Sequence, residues 1–158
     1  MNAQNFEKEW QEVDNLMSQQ LPKSAYEKAN AIFEKSLQTQ NQEQIVKSIF
    51  YLQNLSSQLE EIEYDSRAQK EINYIEANLS KVTGGARSLL ISFLAEKYSQ
   101  YLDRHYWQMQ NRTEIAHGEP SDISKWSISD VERKVQALYL QSCDDIFTKE
   151  IDIREYKN

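Results

Sequence analysis

With 25 acidic against 18 basic residues in 158 and a net charge of −7, the chain has the wrong sign for a nucleic-acid or anionic-lipid surface, which needs a basic stripe. Three glycines, two prolines and 39 % hydrophobic residues with little strand chemistry point to an all-α domain, long enough to bury a core without a staple. No apolar run reaches the roughly 18–20 residues of a membrane span, which excludes direct membrane insertion within this segment, and the single cysteine, Cys143, leaves the redox compartment open.

The first helix is expected over about residues 5–20, with Phe6, Trp10, Val13 and Met17 on one face and Asn5 as its N-cap. Leu21-Pro22 forces a break, because the residue before a proline is biased out of the helical region while proline itself fits a first turn. The second helix buries Ala25, Ala29, Ile32, Phe33 and Leu37, and the small residues Ala29 and Ser36 beside Phe33 let a neighbour approach. Asn41 and Gln44 read as a capping box for a third helix through Ile45, Ile49, Leu52, Leu55 and Leu59, and the short connection makes the pair an antiparallel hairpin. Glu60, Glu61 and Glu63 oppose the helix dipole at its end and are expected in solvent or in the next connection.

A fourth helix starts near Asp65 or Ser66, carries Ala68, Ile72, Ile75, Leu79 and Val82, and stops at Thr83, with Gly84 and Gly85 as C-cap. The fifth, within residues 86–108, presents Leu90, Leu94, Tyr98 and Tyr101 as one stripe widened by Phe93 and Leu102, and the rest of the chain is expected to pack around it. Residues 111–125 carry no apolar period, a longer break than packed helices usually need. Ser129 and Glu132 then make a capping box for a sixth helix with the stripe Val131, Val135, Leu138 and Cys143, Tyr139 alongside. Residues 1–145 are expected to be a single helical domain, and residues 146–158 a linker or the start of a following element in a longer chain. Consecutive helices on short turns suggest antiparallel pairs stacked in a tetratricopeptide-like, right-handed superhelical arrangement, with a compact bundle as the alternative.

Catalytic chemistry is hard to assemble from these residues. His105 and His117 lack the close-spaced partner of a zinc site and read as surface histidines. Cys143 is followed by two carboxylates that would raise its pKa, and reads as a small core residue. No catalytic, cofactor-binding or metal-binding residue is therefore expected. The set Tyr101, Tyr106, Trp107, Arg112 and Trp126 carries two readings. It is a recognition surface, since Trp, Tyr and Arg dominate binding hot spots. Or Trp126 folds the long break back onto the fifth helix, with Arg112 stacked on it or capping a helix end.

Trp10 with Val13-Asp14, the stretch Leu21-Pro22-Lys23-Ser24-Ala25, Lys47, Leu94-Ala95-Glu96 with Tyr98 and Tyr101, Arg112-Thr113, Trp126 and Tyr139 follow one another in a characteristic order. From Trp10 to Cys143 the chain resembles the amino-terminal helical region of the large alpha-2-macroglobulin-like envelope proteins of Bacteroidetes. The resemblance implies a fragment of an exported protease-trapping protein of the periplasm or cell envelope, its signal lying outside the sequence. The segment would then be a non-catalytic scaffold or docking module, its partners other domains of the same long chain or another envelope protein. The family's Cys-x-Glu-Gln thioester does not carry over, because Cys143 is followed by Asp144-Asp145. The alternative is a free-standing, cytoplasmic tetratricopeptide-like adaptor.

Overall fold

A computed structural model describes residues 3–59, 64–112 and 122–148, with backbone alone at 3–5, 64–65 and 145–148. Among the described residues the chain is all-helical: α1 (Ala3–Ser18), α2 (Pro22–Gln38), α3 (Gln42–Leu59), α4 (Tyr64–Asn78), α5 (Gly84–Met109) and α6 (Ile128–Thr148), with 3-10 turns at Leu79–Lys81 and Ile123–Lys125. Helices α1 to α3 with Ser80–Val82 make one compact unit, and α4 to α6 make another. In the second unit α4 and α6 pack on α5 as its stripe requires, whereas α1 to α3 are organised around one another. The acidic cluster at 60–63 lies outside the described residues, as do residues 149–158 of the expected linker.

In the first unit Glu12 pairs with Lys28, and Glu9 with Lys35 at 2.9 Å, so positions rise along α1 as they fall along α2 and the two are antiparallel. Trp10 meets Gln44 and Asp14 meets Tyr51, so α1 and α3 run parallel. Phe6, Trp10 and Val13 from α1, Ala25, Ala29, Ile32, Phe33 and Ser36 from α2, and Ile45, Val46, Ile49, Leu52 and Leu55 from α3 are buried. Met17 and Leu37 are half-buried and Leu59 is exposed, each in the last turn of its helix. Asn5 lies inside α1, which begins at Ala3, and is not its N-cap.

Two turns shape this unit. After α1 the Leu21 amide donates to the Leu16 carbonyl and the Gln20 amide to Met17, with Gln20 left-handed at φ 58°. After α2 the Asn41 amide donates to Ser36 and the Gln40 amide to Leu37, with Gln40 at φ 55°. Both are Schellman closures, with glutamine where glycine is usual. The capping box at α3 forms in half. Asn41 Oδ1 accepts from the Gln44 amide at 3.2 Å, but the Asn41 amide is already engaged by α2, so the Gln44 side chain accepts the Trp10 indole N–H at 2.7 Å.

In the second unit Glu71 pairs with Lys97 at 3.0 Å, and Arg87 Nη1 donates to the Leu79 carbonyl at 2.5 Å, an antiparallel match of α4 and α5 in which Arg87 caps the end of α4. Contrary to the expectation from sequence, Gly84 and Gly85 are not the C-cap of α4; they form the first turn of α5 after Thr83. Gly84 has φ +55° and open space around a notional Cβ, so the left-handed backbone alone asks for glycine. The α6 capping box is Ser127 with Asp130, not Ser129 with Glu132: the Asp130 carboxylate accepts from the Ser127 amide and hydroxyl at 3.0 and 2.6 Å, and Ser127 Oγ accepts from the Asp130 amide at 3.2 Å. The buried stripe of α6 is Val131, Leu138 and Ser142; Cys143 is exposed, one position further round the helix than the core face allows.

Candidate functional site

Helix α5 carries most of the aromatic set, and its period divides that set between two faces. Tyr98, Tyr101, His105 and Met109 continue the buried stripe begun by Leu90 and Leu94. Nine positions on from Tyr98, about half a turn round at roughly 100° per residue, Trp107 faces solvent with 80 % of its surface exposed. Tyr106 beside it is 43 % exposed, its ring edge-on to the indole with centroids 6.1 Å apart at 87°. This pair forms a continuous apolar projection near the end of the helix.

Trp126 takes the opposite role. Its ring is 3 % exposed and stacks on Tyr98, centroids 5.5 Å apart and planes at 22°. Arg112 Nη1 donates to the Trp126 carbonyl at 3.2 Å, tying the chain three residues past the end of α5 to the chain two residues before α6. Tyr98 donates its hydroxyl to Glu76 Oε1 on α4 at 3.1 Å, and Lys134 of α6 lies over its ring at 5.8 Å. Ile123 is buried next to this stack, and its amide donates to Gln69 Oε1 of α4 at 2.7 Å. The segment from Asp122 is thus held at both ends. Asp122 opens the 3-10 turn by accepting from the Ser124 amide at 3.0 Å and hydroxyl at 2.5 Å, and these bonds with the nearby Lys125 lower its carboxyl pKa.

The five residues singled out from sequence therefore do not form one surface. Tyr101 is buried and stacks on His105, centroids 4.3 Å apart; Trp126 is buried; Arg112 is half-buried against it; Tyr106 and Trp107 alone face outward. His105 is buried, not the surface histidine expected, because it falls on the core stripe of α5, and its Nδ1 pairs with Gln108 Oε1 at 3.1 Å. His117 lies outside the described residues. Among the described residues no group of three His, Cys, Asp or Glu side chains could hold a metal ion, and no helix is long and apolar enough to cross a membrane. The roles of Gln69 and Glu76 carry no sequence signal, since each is one polar residue among many on α4.

Comparison with family models, with curated proteins and with solved structures finds no match to this chain.

Proposed function

We propose that this chain is a non-catalytic helical docking module whose contact point is the Tyr106–Trp107 pair. The observation that carries this reading is Trp107, a large aromatic side chain 80 % exposed on α5, well beyond the 43 % of Leu89 and of Tyr106 on the same helix. Tryptophan and tyrosine bury large rigid areas at little conformational cost, which is why they anchor protein interfaces. Arg112, three residues past the end of α5, donates to the Trp126 carbonyl, and the Trp126 ring stacks on Tyr98 of α5; this bracing would hold the projecting pair in a defined orientation.

The resemblance to macroglobulin-like envelope proteins supplies the partner class: another domain of the same long chain or a second envelope protein, in the periplasm or cell envelope. The antiparallel pairing of α1 with α2 and of α4 with α5 supports the second reading, a free-standing tetratricopeptide-like adaptor.

A photoreactive phenylalanine analogue placed at 107 in the native host tests the docking reading. A discrete adduct with one protein is expected, absent when the analogue replaces the exposed Glu27 of α2 instead; no adduct at 107 would overturn the reading. Sequencing the flanking reading frame separates the two partner classes. An export signal upstream with many strand-patterned domains downstream supports the envelope protein, and a stop codon after Asn158 with no upstream signal supports the adaptor.

A further inference from the structure

The outward face of α6 is exposed among the described residues. Arg133, Ala137, Leu140 and Asp144 recur at i, i+4, i+7 and i+11 and make one stripe, and all four are exposed. Leu140, 62 % exposed, stands nine positions from the buried Val131, about 180° round the helix. A leucine at the centre of a solvent-facing stripe, with a small residue on one side and opposite charges at the two ends, is an arrangement that suits another helix.

The order of the stripe says which helix. Reversed about the point between Leu138 and Tyr139, it maps onto itself with complementary chemistry: Arg133 falls opposite Asp144, Ala137 opposite Leu140, and Gln136 opposite Gln141. A parallel pairing would set Arg133 on Arg133 and Asp144 on Asp144. We propose that two copies of this chain associate through α6 in an antiparallel, two-fold arrangement, each leucine seated on the other copy's Ala137 and each Arg133 beside the other copy's Asp144. Two-fold symmetry makes every one of these contacts twice, and opposed helix dipoles favour the same direction. Arg133 already reaches Asp130 at 3.4 Å, and a guanidinium has donors enough to keep that bond while meeting a second carboxylate. This face is distinct from the Tyr106–Trp107 projection, and the proposal does not depend on that pair.

The net charge of −7 on each copy opposes association, so the dimer is expected to be weak, with a dissociation constant on the order of 0.1–1 mM at physiological salt. Sedimentation of the full chain across that concentration range should show a monomer passing to a dimer. Arg133→Asp should weaken the dimer about tenfold through two like-charge contacts, and Arg133→Asp with Asp144→Arg should restore it. Leu140→Glu should abolish it with an unchanged circular dichroism melt. In a Cys143→Ser background, Ala137→Cys with Leu140→Cys should oxidise to a covalent dimer. A chain that stays monomeric throughout, or a dimer indifferent to Leu140→Glu and to the charge reversal, would overturn the proposal, the second result placing the contact on another face.

Discussion

The indole of Trp126 lies on the ring of Tyr98 at 5.5 Å between centroids, joining the segment that leads into α6 to the middle of α5. Trp126 is 3 % exposed, so its replacement leaves a cavity at the point where α4, α5 and the segment from Asp122 are pinned together. Trp126→Ala is expected to cost about 3–5 kcal/mol and Trp126→Phe clearly less. Urea unfolding measures both, and an unaltered midpoint for the alanine variant would rule out the anchoring role.

Gln20 and Gln40 hold left-handed backbone at the Schellman closures of α1 and α2. An L-residue there costs roughly 1–2 kcal/mol, which glycine removes at the expense of greater freedom in the unfolded chain. Gln20→Gly and Gln40→Gly should each stabilise by about 0.5–1 kcal/mol, and the double variant should be close to additive because the turns are separate. Alanine at either position should give no gain. Equal melting temperatures for the glycine and alanine variants would contradict this.

Ser127 Oγ accepts from the Asp130 amide in the first turn of α6, and the Asp130 carboxylate accepts from the Ser127 amide and hydroxyl. Ser127→Ala should lower stability by about 1–2 kcal/mol, whereas Ser129→Ala, at the exposed position that sequence spacing also marks, should change it by less than about 0.5 kcal/mol. Chemical denaturation of the two variants side by side distinguishes the boxes.

Tyr51 donates its hydroxyl to Asp14 Oδ1 at 3.1 Å, and burial, with the Asp14 charge second, raises its phenol above the usual value. The fold therefore favours the protonated phenol. The stability it contributes is complete below the ordinary phenol pKa of about 10 and is lost as pH rises through the folded value. Asp122 has the opposite sign: its depressed carboxyl contributes above the ordinary carboxylate pKa and is lost on acidification. Denaturation midpoints of Tyr51→Phe should fall less steeply than wild type above about pH 10, and parallel curves would refute the link.

What could be read from sequence followed the strength of each local signal. The helices announce themselves because apolar residues recur at helical spacing: Phe6, Trp10 and Val13, or Leu90, Leu94, Tyr98 and Tyr101, leave one orientation that buries them. Boundaries were less legible where two patterns overlap. Ser127 with Asp130 and Ser129 with Glu132 are both serine-acid pairs at the same spacing, and only the burial of Trp126 and Val131 selects the first. Gly84 and Gly85 suit the end of one helix as well as the start of the next, and the choice rests on Arg87 reaching back to Leu79. The division of the aromatic set was in the sequence as well, since Trp107 lies half a turn from Tyr98, although grouping by proximity along the chain hides it. Apolar spacing puts Cys143 on the α6 stripe, yet the polar Ser142 beside it is the residue that completes the buried face.

Asn41 closes α2 with its amide and opens α3 with its side chain, so the stop of one helix and the start of the next are one residue. The α2–α3 pair thereby acquires its direction from neighbours in sequence, before any distant segment has to be found, and closing so short a loop costs little chain entropy. This hairpin is expected to be the seed on which α1 condenses: mutations of Ile32 and Ile49 should slow folding with φ-values of about 0.5–0.8, and mutation of Val13 should mainly speed unfolding. The turn at residues 39–41 then sets the rate at which the first unit forms as much as the angle at which its helices meet.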